Sequence, residues 1–250
     1  MSVITAEQAL VELSQRHREL YDGLTIDARL ETIIRDGSHS GLTGRDVLRI
    51  LRTSRAVFFD THVEVVSGHH TATYLRFESI ARFPELIRLL AQDMAEWIRR
   101  TFHHGPLTGI VATTSAAVLL AEGIADRLHD TMRLRVTLTP YSCETGRIGT
   151  DIKTGAIKPG ERFLALNDVT TRGNCVSKLG KVITDHGGLL AGMMVFARRD
   201  SGQFPLLDEL ITQHPFYYTT DLDMPQWEPA QCPLCRMHKP LLSWKDMPEL

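Results

Sequence analysis

The sequence predicts an α/β fold with a mainly parallel central sheet flanked by helices. Short apolar runs at residues 109–112, 163–166 and 189–197 have the length and composition of buried strands. Segments with the apolar spacing of amphipathic helices follow the first two runs. Strands and helices that alternate in this way build a parallel sheet whose two faces are both covered.

A helical region precedes the sheet. Residues 5–8 fit a capping box that opens a first helix, and residues 43–51 predict a second, short helix. We therefore divide the chain into an N-terminal helical segment or hood (1–55), an α/β domain (56–230) and a C-terminal tail with two cysteines (231–250).

The next elements follow from local signals. Residues 56–66 are rich in β-branched and aromatic side chains and predict one strand that ends in a turn at Ser67 and Gly68. Pro84 suits the first turn of a helix, and an apolar pattern of helical period continues from it to Ile98.

The centre of the chain supplies two strands, a helix and a long connection. The strand at 109–112 leads into an Ala- and Leu-rich helix that ends near Leu128, and residues 133–138 alternate as a strand does. Residues 139–160 are rich in Gly and Thr and lack a hydrophobic period, which is typical of a functional loop or hairpin.

The last predicted helix and strand come after the run at 163–166. Residues 176–183 place apolar side chains on one helical face, and residues 189–197 have the pattern of a buried strand. Arg198 and Arg199 follow and are expected to end this strand at the protein surface.

Residues 167–175 carry the strongest functional signal. An apolar strand runs into Asn167 and Asp168, then into a turn rich in hydroxyls and glycine, and then into a helix. At a helix N-terminus the first backbone N–H groups have no partner within the helix, and the helix dipole favours an anion. The Asp168 carboxylate can hold hydroxyl groups or a divalent cation. The segment can therefore bind a phosphorylated sugar at both of its ends.

A second turn of this kind, Thr113 to Ser115, follows the strand at 109–112. Ligands of parallel sheets bind beyond the carboxyl ends of the strands, so both turns lie at the ligand-binding edge. A single such turn is most often only a helix cap. Two of them on neighbouring strands, one with a terminal Asp, favour a bound diphosphate or sugar phosphate.

Composition excludes several classes of protein. The 250-residue chain is 43% hydrophobic and 23% charged, and its formal charge of −2 provides no basic surface for nucleic acid. No apolar run reaches the roughly 18 residues of a membrane span, and residues 1–7 lack the pattern of a secretory signal. The four cysteines do not make a disulfide framework. We expect a cytoplasmic protein that binds neither nucleic acid nor a membrane.

Several segments, in family order, resemble motifs of the type I phosphoribosyltransferases, and of the orotate phosphoribosyltransferases in particular. Residues 163–175 are similar to the phosphoribosyl pyrophosphate motif, in which an apolar run precedes acidic residues and a Thr- and Gly-containing loop. Residues 67–74 resemble the Ser-Gly-x-x-Ser-x-x-Tyr element of the orotate enzymes, and residues 232–240 resemble the Cys-Pro-Leu-Cys ending of one bacterial branch. Residues 109–125 are similar to the family's diphosphate loop and the helix after it.

The resemblance implies both a fold and a reaction. The fold is that of a type I phosphoribosyltransferase with an N-terminal hood. In the reaction, a nitrogen nucleophile displaces pyrophosphate from the anomeric carbon of phosphoribosyl pyrophosphate, with Mg²⁺ bound alongside the substrate. The transition state resembles an oxocarbenium ion, so the protein must hold the ribose and stabilise the leaving diphosphate. The family also implies a homodimer, in which a mobile loop closes over the neighbouring subunit's site.

The resemblance assigns roles position by position. Asp168, beside Asn167, would bind the ribose hydroxyls and is the predicted catalytic residue. The predicted contacts of the 5′-phosphate loop are Thr170, Thr171, Arg172, Gly173, Asn174 and Cys175. The predicted contacts of the diphosphate and its metal are Thr113, Thr114 and Ser115. The predicted acceptor-binding residues are His69, Thr71, Thr73 and Tyr74.

The chain departs from the family pattern inside the phosphoribosyl pyrophosphate motif. Asn167 replaces the first of two acids, Arg172 replaces a second Thr, and Cys175 replaces a terminal Ser or Thr. The loss of one acid removes a negative charge near the sugar. Arg172 can strengthen phosphate binding through a bidentate contact, or it can fill the site.

The mobile loop differs as well. Orotate phosphoribosyltransferases carry basic residues there, whereas residues 137–144 of this chain contain no Lys or Arg. Arg147 and Lys153 are the cations of the same loop that can take their place.

Cysteine and histidine suggest two further roles. Cys232, Cys235 and His238 have the spacing of three zinc ligands. A structural zinc site needs four ligands and the sequence holds no second cysteine pair, so a metal-free structural tail of the family type is favoured and zinc is the alternative. Cys175, at a helix N-terminus, would form a stabilised thiolate. That nucleophilic role competes with its place in the phosphate loop.

Two functions of different class stay open. The first is a phosphoribosyltransferase that acts on an orotate-like or specialised nitrogen heterocycle. The second is a non-catalytic protein of this fold that binds phosphoribosyl pyrophosphate or a nucleotide as a sensor or partner. Asp168 and the turn 171–173 favour ligand binding in either case, whereas Asn167 and the missing loop cations favour the second function.

Overall fold

A central sheet of six strands carries helices on both faces in the computed structural model, which describes residues 6–103, 105–171, 173–199 and 210–249. The helices are α1 (Ala6–Asp22), α2 (Ile26–Ile33), α3 (Gly44–Ser54), α4 (Phe77–Ala81), α5 (Pro84–Thr101), α6 (Ala117–Leu128), α7 (Asn174–Asp185) and α8 (Pro233–Arg236). The strands are β1 (Ile34–Ser38), β2 (Val57–Phe58), β3 (Val63–Glu64), β4 (His70–Thr71), β5 (Tyr74–Leu75), β6 (Gly109–Thr113), β7 (Arg135–Thr139), β8 (Tyr141–Ser142), β9 (Arg147–Ile148), β10 (Arg162–Thr170), β11 (Leu189–Arg199), β12 (Phe216–Leu222), β13 (Gln226–Trp227) and β14 (Leu242–Ser243).

The strand order of the central sheet is β1-β12-β11-β10-β6-β7. The five strands from β12 to β7 run parallel, and β1 joins the edge antiparallel to β12. The predicted α/β class with a mainly parallel sheet is therefore confirmed. The carboxyl ends of β6, β10 and β11 lie at one edge, where the sequence places its functional turns.

Successive residues of the central strands point to opposite faces of the sheet and pack into two separate hydrophobic cores. On one face, Leu164 and Leu166 of β10 belong to a large cluster that includes α5 and α6. On the other face, Phe163 and Ala165 pack with apolar side chains of α7, namely Val176, Leu179, Val182 and Ile183. Burying each of these α7 side chains stabilises the fold by about 1.5–3 kcal/mol, which holds the N-terminus of α7 firmly against the sheet edge.

The N-terminal region contains more than the two predicted helices. Helix α3 begins at a capping box in which Thr43 and Asp46 exchange hydrogen bonds, as the pattern at 43–51 indicates. Helix α1 is present from Ala6, while residue 5 of its predicted capping box lies outside the described residues. Helix α2 and strand β1 were not predicted, and β1 makes the 34–38 segment part of the central sheet.

The prediction of one strand across residues 56–66 was wrong. The structure has two short strands there, β2 paired with β5 and β3 paired with β4. Asp60 separates them because its backbone has a left-handed φ of 55°, which cannot continue a strand. Its carboxylate is bound by Arg29 at 2.7 Å, so the bend is anchored to α2.

Two other boundaries differ from the sequence prediction. Strand β10 extends to Thr170 rather than ending near residue 166, so Asn167 and Asp168 lie on the strand itself. Asn167 pairs with Val195 of β11, and Asp168 is the next residue along β10. Arg199 is 4% exposed, which corrects the expectation that the end of β11 lies at the surface. Strand β12 of the central sheet was not predicted, whereas β6, β7, β11, α5, α6 and α7 lie close to their predicted positions. Residues 139–160, predicted as a functional loop or hairpin, contain the hairpin formed by β8 and β9.

Among the described residues, no helix combines the length and apolarity that a bilayer crossing requires.

Candidate functional site

A cavity of about 430 Å³ opens at the carboxyl edge of the sheet. Its floor is formed by residues 167–169 at the end of β10. The start of α7, the β8–β9 hairpin and the turn between β3 and β4 also line the cavity. Trp244, from the C-terminal tail, also lines it. Regions far apart along the chain thus meet at the edge that the sequence predicts for ligand binding.

Asn167 and Asp168 lie at the bottom of this cavity, with different surroundings. The Asn167 amide donates to the carbonyl oxygen of Val169 at 2.9 Å, so it is held by its own strand. The Asp168 carboxylate accepts one hydrogen bond, from the Val169 N–H at 2.7 Å. Burial, and after it the negative charge of Glu78, raises the pKa of Asp168 from 3.8 to about 7. Asp168 is therefore a carboxyl group that changes charge near neutral pH.

The phosphate loop leads into α7 as the motif predicts. Gly173 occupies the N-cap with a φ of 78°, a conformation that glycine adopts without strain. Thr171, Asn174 and Cys175 line the cavity beside it. Thr170 is buried and does not line the cavity, and its hydroxyl oxygen has no hydrogen-bond partner among the described residues. The first free N–H groups of α7 are thus presented next to Asp168, where an anion can bind.

Of the substituted residues Arg172 and Cys175, the structure describes only Cys175. Arg172 lies outside the described residues, so both of its sequence-based roles stay predictions. Cys175 is half-buried, and burial followed by the charge of Asp168 raises the pKa of its thiol to about 11. The thiolate that a nucleophilic role requires is therefore disfavoured, despite the helix N-terminus.

The turn from Thr113 to Ser115 holds its hydroxyls mostly in internal contacts. The Thr113 and Ser115 hydroxyls are 2.7 Å apart, and the Thr114 hydroxyl accepts from the backbone N–H of Tyr141 at 3.0 Å. Of the three, Ser115 lines the cavity. Thr114 fastens the β8–β9 hairpin to the end of β6, which places the hairpin over the site.

The β8–β9 hairpin brings one of the two predicted loop cations to the cavity. Arg147 is exposed and lines it. Lys153 does not line it, and its backbone N–H donates to the Leu138 carbonyl at 2.7 Å. Tyr141 also lines the cavity, and burial raises the pKa of its hydroxyl far above its usual range, so the phenol stays protonated.

Of the four predicted acceptor-binding residues, Tyr74 lines the cavity, and burial raises the pKa of its phenol to about 12. The Thr71 hydroxyl donates to the Thr73 carbonyl oxygen at 2.9 Å and accepts from the Thr73 N–H at 3.3 Å. His69 is buried and contacts Glu228 at 2.6 Å through Nε2. Among the described residues, these last three support the cavity wall rather than line it.

Several residues at the cavity were not predicted from sequence, and three of them carry charge. Glu78 enters from α4, Lys178 from the first turns of α7, and Arg199 from the end of β11. Trp244 enters from the tail. The α7 pattern itself is the signal that would have found Lys178, since it lies on the turn after Asn174. With Arg147, the described residues of the cavity present three cationic side chains and two carboxylates, a charge pattern that suits a metal-bound phosphorylated sugar.

A second group of functional side chains lies outside this cavity. His62, His70, Cys232 and Cys235 place one potential ligand atom each within 4.8 Å of all the others. This corrects the ligand set of Cys232, Cys235 and His238. His238 is exposed in the turn after α8 with a left-handed φ of 53°, while two histidines from the β3–β4 hairpin complete the group.

Known proteins resemble this chain in sequence and in fold. It is 28% identical over 197 residues to an orotate phosphoribosyltransferase from Thermus thermophilus, a match that covers 78% of this chain and 98% of the relative. The solved orotate phosphoribosyltransferase of Aeropyrum pernix superposes with a TM-score of 0.53 at 15% identity, over 69% of this chain and 92% of that one. UMP synthase of Leishmania donovani superposes with a TM-score of 0.54 at 20% identity, over 69% of this chain but only 35% of that larger protein. No protein-family model matches the chain.

Proposed function

Since this chain has the type I phosphoribosyltransferase fold and is similar in sequence to orotate phosphoribosyltransferases, we propose that it transfers ribose 5-phosphate from phosphoribosyl pyrophosphate to a nitrogen heterocycle. Pyrophosphate is the other product. The observation that carries the proposal is the meeting of Asp168, the N-terminus of α7 and three cationic side chains in one cavity at the sheet edge. The proposed reaction is that of a pentosyltransferase of nucleotide metabolism.

The 5′-phosphate and the ribose bind to neighbouring parts of the cavity. The turn at Thr171 and Gly173 presents backbone N–H groups of the α7 N-terminus to the phosphate, and Lys178 adds a positive charge on the same side. Asp168 lies at the adjoining strand end, where its ionised carboxylate accepts hydrogen bonds from vicinal ribose hydroxyls. The sugar is thereby held on both sides of the reacting carbon.

The leaving diphosphate lies towards the hairpin. Ser115 and Arg147 line that part of the cavity, and the Arg147 guanidinium matches phosphate oxygens with paired donors. Mg²⁺ prefers substrate phosphates together with one or two carboxylates, and Asp168 and Glu78 are the carboxylates that the cavity offers. When bound, the ion neutralises charge on the diphosphate. The donor set therefore fits the cofactor that we propose.

The reaction needs little covalent chemistry from the protein. The bond between the anomeric carbon and the diphosphate oxygen breaks with its electron pair leaving on pyrophosphate, and the heterocycle nitrogen forms the new bond to that carbon. A nitrogen that carries a proton releases it to solvent or to pyrophosphate. The protein contributes by fixing the ribose, by stabilising the two charged ends and by limiting water.

The acceptor enters between Tyr74 and the tail. Tyr74, Val65 and Trp244 form a partly apolar wall that suits a flat heterocycle. Orotate is the first candidate, because the relative carries that name, and specialised heteroaromatic acids are the next. We propose in addition a cytoplasmic homodimer in which the β8–β9 hairpin approaches the neighbouring site.

The proposal is tested by incubating the protein with phosphoribosyl pyrophosphate, Mg²⁺ and a panel of orotate, other pyrimidines, purines and heteroaromatic acids. Release of pyrophosphate with one acceptor, and its loss in Asp168→Asn, is expected. Tight binding of phosphoribosyl pyrophosphate without release for any acceptor would overturn the transferase proposal for that panel.

A second function is favoured by one specific observation. Asn167 stands in place of an acid and turns its amide to the Val169 carbonyl, so the sugar site has one carboxylate on its strand rather than two. A protein with that change can bind phosphoribosyl pyrophosphate or a nucleotide as a sensor or partner without catalysing transfer. Asn167→Asp distinguishes the two functions, because it raises turnover in a transferase and creates none in a binding protein.

A further inference from the structure

Two histidines and two cysteines converge on one point beside the β3–β4 hairpin. His62 lies just before β3 and His70 lies on β4, while Cys232 and Cys235 flank the start of α8. His62 and Cys232 are separated by 170 residues, yet the His62 Nε2 and Cys232 Sγ atoms are 3.5 Å apart. Three of the four residues are buried. From these contacts we infer that the protein holds a structural Zn²⁺ ion at His62, His70, Cys232 and Cys235.

Four of the six distances between the ligand atoms are close to the edge lengths of a coordination tetrahedron, and all six are within 4.8 Å. With Zn–N near 2.0–2.1 Å and Zn–S near 2.3 Å, tetrahedral coordination separates two nitrogens by about 3.3 Å, and a nitrogen from a sulfur by about 3.5 Å. His62 Nε2 and His70 Nδ1 are 3.2 Å apart. Cys235 Sγ is 3.5 Å from His62 Nε2 and 3.2 Å from His70 Nδ1. The group is therefore already arranged around a centre that a zinc ion fills.

Hydrogen bonding alone does not account for this arrangement. His62 Nε2 approaches three groups at once, namely His70 Nδ1, Cys232 Sγ and Cys235 Sγ. One imidazole nitrogen carries either a single proton or a single lone pair, so it can satisfy only one of the three well. A metal ion lets all four atoms direct lone pairs to the same point.

A contact behind His62 sets the protonation state that a ligand requires. Its other nitrogen, Nδ1, lies 2.9 Å from the Lys239 carbonyl oxygen. Since a carbonyl only accepts, Nδ1 carries the proton and Nε2 is left with its lone pair facing the centre. Orientation of a ligating histidine by a backbone carbonyl is typical of metal sites in proteins. Two thiolates and two imidazoles favour Zn²⁺ over hard cations such as Mg²⁺.

The site fastens the C-terminal tail to a wall of the cavity. Strand β14 pairs with β3, and the Leu242 N–H donates to the His62 carbonyl at 2.8 Å. The turn that joins β3 to β4 supplies Val65 to Ser67 to the cavity, and the tail supplies Trp244. Zinc would thus hold together two segments that line the cavity without itself facing the substrate.

Metal analysis of the full-length protein, purified with reductant from zinc-supplemented cells, tests this inference. We expect about one zinc per chain. His62→Ala and Cys235→Ser should each lose it, whereas two matched controls should keep it. Cys143→Ser removes an exposed free cysteine, and His238→Ala removes the histidine that the spacing alone suggests. Loss of zinc in His238→Ala but not in His62→Ala would overturn the site as assigned.

A measurement on the unmutated chain covers the case in which a ligand variant fails to fold. Exchange with Co²⁺ should give the intense ligand-field bands of tetrahedral cobalt, together with thiolate-to-cobalt charge transfer. Absence of these bands and of bound zinc, with a Cys232–Cys235 disulfide or two free thiols instead, would refute the inference. Neither readout depends on phosphoribosyl transfer, so the zinc site and the proposed function can fail separately.

Discussion

Asp168 and Glu78 face the same cavity from β10 and α4, and the charge of Glu78 adds to burial in raising the pKa of Asp168 to about 7. The sequence replaces the first acid of the strand end by Asn167. Glu78, on α4, supplies a second negative charge to the cavity in addition to that of Asp168. The pair therefore makes the charge of the cavity sensitive to pH close to neutrality.

This pairing predicts how ligand binding depends on pH. An ionised Asp168 accepts hydrogen bonds from ribose hydroxyls better than a protonated one, so affinity for ribose 5-phosphate should rise several-fold between pH 6 and 8. Calorimetry at several pH values measures the rise. Asp168→Asn removes the titrating group and should leave the shallower profile of the ligand itself, while Glu78→Gln should move the midpoint to lower pH. Parallel profiles for wild type and Asp168→Asn would contradict the assignment.

The same raised pKa predicts that the ionisation that favours ligand binding lowers the stability of the fold. The folded pKa of about 7 lies above the ordinary value of 3.8, so the folded state binds the additional proton between these values. The free energy of unfolding should therefore fall as pH rises from about 4 to 7 and then level off, by at most about 4 kcal/mol. Urea unfolding should show that Asp168→Asn is more stable than wild type at pH 8 and gains less at pH 5. An equal gain at both pH values would count against the raised pKa.

Lys178 is predicted to contribute charge to phosphate binding, and α7 provides its own control. Lys178 lines the cavity, whereas Lys181 on the same helix pairs with Asp185 at 2.7 Å and does not line it. Lys178→Ala should weaken phosphoribosyl pyrophosphate binding about tenfold, which corresponds to about 1.4 kcal/mol. Lys181→Ala should change it less than twofold. Titrations at two salt concentrations should show a smaller salt dependence only for Lys178→Ala, and similar losses in both variants would argue against a specific contact.

Gly173 is predicted to be required for both backbone geometry and binding. Its φ of 78° at the N-cap of α7 costs about 1–2 kcal/mol with any ordinary side chain. Gly160 has a φ of 79° in open space away from the site and is the matched control. Gly173→Ala and Gly160→Ala should lower the free energy of unfolding by similar amounts in chemical denaturation.

The two glycine variants should separate in ligand binding. Gly173→Ala shifts the N–H groups that hold the phosphate, so its affinity for ribose 5-phosphate should fall at least tenfold, while Gly160→Ala keeps wild-type affinity. If both variants bind equally well, the α7 N-terminus does not hold the phosphate.

The sequence predicted most of the centre of the fold and the sheet edge at which the cavity opens, because local signals determine both. The runs at 109–112 and 163–166 are buried strands whatever surrounds them, and the Thr- and Gly-containing turns after them can lie only at strand ends. Strand β1 escaped prediction because its pattern is mixed and partly exposed, and only its antiparallel partner β12 makes it a strand.

The sequence analysis did not predict the residues that tertiary packing brings to the cavity or to the cysteine–histidine group from distant positions in the chain. Glu78 and Arg199 have nothing in their neighbouring sequence that indicates a cavity, because tertiary packing alone aims them there. His62 and His70 lie in the middle of what reads as one strand and a turn, and the fold brings them to Cys232 and Cys235. The spacing of the tail instead favoured His238, which is close along the chain and exposed in the structure.

Trp244, which lines the cavity from the tail, has a consequence for the order of biosynthesis. Strands β6, β10 and β11 and helix α7 are all complete before the ribosome adds the residues around Trp244, and the pairing of β14 with β3 spans most of the chain. Contacts of such long separation form late in folding. A nascent chain can therefore assemble its central sheet and the turn before α7 early, yet the cavity gains its Trp244 wall only after the residues around Trp244 have left the ribosome.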